Sequence, residues 1–225
     1  IDPKKWVTKH DAHRQTAIMV SAGPYLDYAA LHKFVKENPE AKMLAVKHAY
    51  PHLMEHGITP WGCILLDPRP ITGKSTHNIV RKDLFKNIDL NTNFFLASMT
   101  DPSVTNFMID KGVKLFGWHA FTDSLREENE QGMKIQNQQV KIDQDLGIPQ
   151  GATMITGGTC AAMRGIGMLH TMGFRDIHLF GFDCCRDEPS KEELTETTGD
   201  IEGGEVPKPK YMQVTVNEKE YWTTG

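Results

Sequence analysis

Cysteine is scarce in this chain, and none of it is spaced for a metal. Cys63, Cys160, Cys184 and Cys185 are the four cysteines among 225 residues. No CxxC pair is present, so neither a zinc ribbon nor a thioredoxin-like redox centre is indicated. Cys63 and Cys160 lie in apolar segments and read as small core residues. The neighbouring Cys184 and Cys185 are poorly placed to bridge each other, because disulfide geometry strains an adjacent pair. Reduced thiols and a cytoplasmic setting follow as the expectation. No apolar run reaches the length of a membrane span. No charged n-region with an apolar h-region opens the chain, which starts at Ile1 and reads as a trimmed fragment. Positive charge is in deficit, with 25 Lys and Arg against 29 Asp and Glu. That balance excludes the basic footprint of a nucleic-acid binder. A GxGxxG turn is missing, and Gly73-Lys74-Ser75 lacks the upstream glycine of a P-loop.

What the chain does have is alternation. Short, continuously apolar runs at residues 17–20, 43–47, 62–67, 93–99, 114–118, 153–156 and 176–183 suit strands buried on both faces of a parallel sheet. Between them, amphipathic stretches predict helices over residues 25–37, 51–56, 103–111 and 158–172, with Ser103 as an N-cap. The pattern predicts a single Rossmann-like α/β domain over 1–225, a mainly parallel sheet with helices on both faces. Polar residues 122–145 read as a helical insertion, acting as a lid or as the surface of a homo-oligomer. The acidic and then Gly/Pro-rich residues 186–210 read as a mobile loop. Residues 211–216 and 220–224, flanking Asn217-Glu218-Lys219, read as a hairpin.

In open α/β sheets ligands bind outside the carboxyl ends of the strands. The candidates there begin with Ser21-Ala22-Gly23-Pro24, a strand–glycine–helix junction. Gly23 allows close backbone approach and Pro24 suits a first helical turn, so the free amides of that helix would meet an anion. Thr156-Gly157-Gly158-Thr159 repeats the logic before the long apolar helix. Asp67, Asp101 and Asp183 end strands, where carboxylates hold ribose hydroxyls, a metal or a substrate amine; before proline, Asp67 and Asp101 also suit turn chemistry. His48, His52 and His56 recur every fourth residue and invite a zinc reading. Pro51 argues against it by starting the helix there and leaving His48 on the strand end beside Lys47, where both would face a phosphate.

Taken in order, SAGPYLD (21–27), the run 43–70, TDPSV (100–104), the run 155–183 and YWTTG (221–225) resemble the MptE-like family. That family is typified by an archaeal 6-hydroxymethylpterin diphosphokinase and includes the motility accessory factor glycosyltransferases. It is distantly similar to bacterial sialyltransferases. Two positions depart from its pattern: Tyr25 stands where a serine is usual, and Trp61 where an aspartate is usual. The family continues past YWTTG with a helix, so the resemblance implies that this chain lacks its C-terminal end. It implies a transferase for nucleotide-activated substrates, with a CMP-type sugar donor ahead of ATP. Ser21, Gly23, Pro24, Tyr25, Lys47, Thr156, Gly157, Gly158 and Thr159 would bind nucleotide and phosphate. Asp67 or Asp183 would orient ribose or acceptor, and His48 would be the general base. No cofactor is required in that reading. In the diphosphokinase alternative, Mg²⁺ on Asp67 or Asp101 would bridge ATP phosphates, and a pterin-like alcohol would attack. A third alternative is a nucleotide-binding domain without catalysis.

Overall fold

The structure is a computed structural model that describes residues 5–72, 80–120, 153–158, 160–183, 185, 188, 198–201, 204–207 and 211–224. Gly73-Lys74-Ser75, the 122–145 insertion, Thr159, Cys184 and most of 186–197 lie outside the described residues.

The elements are β1 (His13–Val20), α1 (Tyr28–Glu37), β2 (Lys42–Val46), α2 (Ala49–Glu55), β3 (Gly62–Leu65), the short β4 (Ile71–Thr72) and β5 (Val80–Arg81), β6 (Asn93–Ala97), α3 (Pro102–Asp110), β7 (Lys114–Ala120), β8 (Met154–Ile155), α4 (Ala161–Thr171) and β9 (Phe174–Phe180). Two antiparallel pairs follow, β10 (Thr198–Ile201) with β11 (Gly204–Pro207), and β12 (Tyr211–Val216) with β13 (Lys219–Thr224). The first pair lies in the stretch expected to be a mobile loop, so part of that segment is strand.

Seven strands form one sheet in the order β8-β7-β6-β3-β2-β1-β9, and every pairing in it is parallel. The chain builds outward from β1 in one direction, then returns to place β9 on the other side of β1. That reversal opens a crevice at the carboxyl ends of β1 and β9, the position where such sheets bind ligands.

Side chains alternate across the central strands, so each strand feeds two cores. Cys63 and Leu65 of β3 with Phe94 and Leu96 of β6 pack under Val104 and Met108 of α3. Ile64, Phe95 and Ala97 face the other way, into the core that includes Leu31 of α1 and Met168 and Leu169 of α4. Truncating a side chain as buried as Met168 or Leu169 costs about 2–5 kcal/mol. β9 breaks the expected double burial. Arg175, Asp176 and Leu179 are exposed, because only its β1 side is paired among the described residues.

Helix starts shift relative to the sequence reading, and each shift has a chemical cause. α1 begins at Tyr28 because Asp27 caps it, its carboxylate accepting from the Ala30 N–H at 2.9 Å. Pro24 therefore precedes the helix instead of opening it. α3 is capped by Asp101, which accepts from both the N–H and the hydroxyl of Ser103. α2 starts at Ala49 with His48 as N-cap, so Pro51 sits within its first turn and His48 is not on the strand. At the end of the chain, Asn217 (φ 51°) and Glu218 (φ 65°) form a two-residue turn, and β13 starts at Lys219. Two consecutive left-handed residues are the geometry that matches hairpin twist.

Candidate functional site

A cleft of about 750 Å³ opens at the crevice predicted by the strand order. Residues 21–24 after β1 and Gly181 and Phe182 after β9 form one wall. Lys47 and His48 after β2, with Leu66, Asp67 and Arg69 after β3, form the opposite wall. Residues 160–163 at the start of α4 also line it, as do Cys185 and, from the terminal hairpin, Trp222 and Thr223. Strands about 4.8 Å apart set the β3 end roughly 14 Å from the β9 end.

The charged wall is built around Asp67, which is 1% exposed. The Arg69 guanidinium grips it with Nε donating to Oδ1 at 2.6 Å and Nη2 to Oδ2 at 2.7 Å. The buried Lys47 ammonium donates to Oδ2 at 2.5 Å. Burial pushes the Asp67 carboxyl upward, but the hydrogen bonds from Arg69 and Lys47 outweigh it and hold the pKa below the ordinary value. Those same bonds raise the Arg69 pKa. Asp67 is thus a fixed anion that positions two cations, and two cations against one carboxylate leave the wall positive. Arg69 is 46% exposed along its side chain and commits only part of its donor fork to Asp67. Arg69 lines the cleft, and a guanidinium there suits an oxyanion.

α4 adds to this field. Its N-cap, Cys160, makes no side-chain cap hydrogen bond, so the first-turn amides of α4 are not capped in that way. Cys160 is exposed, which corrects its reading as a core residue: it ends the turn before α4 instead of packing within the helix. Cys63 is the core thiol, fully buried, and burial pushes its pKa up.

The first glycine turn is different. Three amides of this segment, expected to be open to an anion, are engaged. Gly23 N–H donates to the Gly181 carbonyl at 3.0 Å, Leu26 N–H to the Gly23 carbonyl at 3.2 Å, and Tyr25 N–H to Asp183 Oδ2 at 2.8 Å. Asp183 therefore locks this turn. A Cβ on Gly23 would overlap the Asp183 carboxylate and the Gly181 carbonyl, which explains glycine there without any ligand.

The sequence candidates divide accordingly. Ser21, Gly23, Pro24, Lys47, His48 and Asp67 come together on the cleft. Tyr25 and Asp183 line a neighbouring groove of about 550 Å³, which shares Cys185 and Thr223 with the cleft. Thr156, Gly157 and Gly158 precede α4 and are not on the cleft lining. Gly157 (φ 128°) lies against the α4 backbone, where a Cβ would come 2.6 Å from the Met163 carbonyl oxygen. Sequence reasoning passed over Arg69, although an arginine two residues past a strand-end aspartate was a usable signal. It also passed over Trp222.

His52 pairs with Glu55, and the His56 ring meets the His52 carbonyl at 2.8 Å, so these histidines serve α2. Among the described residues no group of three His, Cys, Asp or Glu side chains is placed to hold a metal. Asp67 and Asp101, the two carboxylates proposed for Mg²⁺, are turned to Arg69 and Lys47 and to Ser103 respectively. This donor set does not fit a directly held Mg²⁺.

A doubly wound parallel sheet with a positive cleft at its switch point defines a Rossmann-like protein. The chain belongs to the MptE-like family: the family described as 6-hydroxymethylpterin diphosphokinase MptE-like matches residues 3–189. No curated protein matches the chain. Among solved structures it is similar to the MAf glycosyltransferase from Magnetospirillum magneticum AMB-1, with a TM-score of 0.56 and 13% identity. That match covers 98% of this chain and 29% of the glycosyltransferase chain, so this chain spans under a third of that protein. At this identity the likeness is one of fold. No helix among the described residues is long and apolar enough to cross a membrane.

Proposed function

We propose that the cleft binds the phosphate of a nucleotide-activated substrate and that the chain is the nucleotide-handling part of a transferase. The observation that carries this reading is the Lys47–Asp67–Arg69 cluster, a buried anion holding two cations on a cleft wall. Glycosyl transfer from a nucleotide-activated sugar of CMP type is the leading form. A nucleoside monophosphate is a leaving group that two fixed cations and helix amides can stabilise as charge develops. Lys47, Arg69 and the start of α4 would hold that phosphate. The acceptor hydroxyl would attack the anomeric carbon, the bond to phosphate would break, and His48 would take the hydroxyl proton. His48 lines the same cleft, one residue from Lys47.

The family's name supports a second form, diphosphoryl transfer from ATP to a pterin-like alcohol. In that form any Mg²⁺ would have to come with the nucleotide, because Asp67 and Asp101 are committed to Lys47, Arg69 and Ser103.

A thermal-shift panel of CMP, CDP, UDP, GDP and ATP, each with and without Mg²⁺, separates the forms. A ligand that binds only the folded state raises the melting temperature. Metal-independent stabilisation by CMP supports the sugar-transfer form, and Mg²⁺-dependent stabilisation by ATP alone supports the diphosphokinase. Silence from all five removes the nucleotide reading. His48→Ala should lower turnover while leaving nucleotide affinity unchanged; unaltered turnover would remove it as the base.

A further inference from the structure

The chain has four tryptophans, and three are used for packing. Trp118 is fully buried, Trp61 packs on Phe95 with ring centroids 5.5 Å apart, and Trp6 lies against Gly117. Trp222 differs. It is half-buried, is absent from both core clusters, and lines the cleft. Its place on the hairpin is also unusual. Alternation along β12 and β13 puts Val214, Val216 and Tyr221 on one face and Gln213, Thr215, Glu220 and Trp222 on the other. Gln213 and Glu220 hydrogen-bond on that second face at 2.7 Å. Trp222 is thus a large aromatic side chain on the face of Tyr211, Gln213, Thr215 and Glu220, and among the described residues it belongs to neither core cluster.

The hairpin is held beside the β1–β9 wall, since Tyr221 meets Tyr25 edge-on with ring centroids 6.2 Å apart. Trp222 lines the same cleft as Lys47, Asp67 and Arg69, reaching it from the hairpin instead of from the seven-stranded sheet. Phe182, after β9, lines the cleft as well. The cleft lining thus carries both cations and aromatic rings, the groups that suit a nucleotide's phosphate and its base.

We infer that Trp222 is the stacking platform for the base of the bound nucleotide, so that the terminal hairpin is part of the binding site. This rests on the nucleotide reading above and adds the base to the phosphate. Stacking on an indole face tolerates any base, so the contact supplies affinity more than base identity.

The test is calorimetric titration of CMP and of inorganic phosphate into the whole chain, as wild type, Trp222→Ala and Trp222→Phe. Loss of one stacking contact should weaken CMP binding about 10-fold or more in Trp222→Ala. Phosphate affinity should be unchanged, and Trp222→Phe should restore most of the loss. CMP should also quench tryptophan fluorescence in the wild type and not in Trp222→Phe. Equal CMP affinity in wild type and Trp222→Ala would overturn the platform while leaving the nucleotide reading intact. Equal losses for CMP and phosphate would also overturn it, since the hairpin would then only shape the cleft. Wild-type binding of phosphate without CMP, or of neither, would overturn both.

Discussion

Gly23 and Gly157 each follow a strand of one parallel sheet, and in the sequence they look like two copies of one anion-binding turn. In the fold their surroundings differ. Gly23 has an ordinary φ and is crowded by the Asp183 carboxylate and the Gly181 carbonyl, and its own amide and those of Tyr25 and Leu26 are engaged. Gly157 has a φ of 128° and lies against the α4 backbone. The turn it belongs to leads into a helix whose N-cap side chain makes no cap bond. The first turn is a closed wall of the cleft, and the second sets a helix end toward it. Under the proposed function, phosphate binding would fall to that helix and to the Lys47–Asp67–Arg69 cluster on the cleft.

The largest effect expected from breaking this asymmetry is at Asp67. Asp67→Ala leaves buried Lys47 without its anion and should destabilise the fold by about 3–5 kcal/mol. Chemical denaturation at neutral pH measures it. The same carboxyl gives a pH signature. Its folded pKa lies below the ordinary 3.8, so the stability it contributes is complete above about pH 4. That contribution is lost as pH falls through the folded value, and Asp67→Asn should remove this part of the acid dependence. An Asn variant with the wild-type acid profile would contradict the assignment.

At the second turn, Gly157→Ala and Gly158→Ala should separate. Gly157 combines a glycine-only φ with an overlap on Met163, which together cost about 3 kcal/mol. Gly158, at φ 74°, has open space around it and should cost about 1 kcal/mol from left-handed strain alone. Equal melting temperatures for the two variants would mean that α4 does not pack on Gly157 as described.

The smallest effect is at the first turn. Asp183→Ala removes one partly exposed hydrogen bond and should cost about 1 kcal/mol. It should also relieve part of the crowding at Gly23, so Gly23→Ala should cost less in the Asp183→Ala background than in the wild type. Strict additivity would show that Asp183 is not what requires glycine there.

Much of the fold was legible from residue patterns. Continuous apolar runs marked β1, β2, β3, β6, β7 and β9, and all run parallel, although β9 is not buried on both faces. Helix starts were less legible, because Asp27 and Asp101 compete with Pro24 and Ser103 for the cap, and only the backbone path decides between them. Lys47, His48 and Asp67 could be grouped from strand ends alone. Their division of labour could not, because the positive wall depends on the grip of Arg69 on Asp67 across two residues of turn. Trp222 was hidden for another reason: its meaning comes from which face of a hairpin it occupies and where that hairpin lies, and local periodicity encodes neither.

The central claim is that Lys47 and Arg69 bind nucleotide phosphate without a metal. Titration of CMP in the presence of a chelator, into wild type and Arg69→Met, tests it most directly. Arg69→Met keeps the buried Lys47–Asp67 pair, so the fold should persist. A charge-assisted contact of this type is worth about 1.5–3 kcal/mol, so CMP affinity should fall about 10-fold or more. Metal-independent binding in the wild type, weakened by that factor in Arg69→Met at an unchanged fold, is the predicted result. Binding that is indifferent to Arg69, or that appears only when Mg²⁺ is restored, would contradict it.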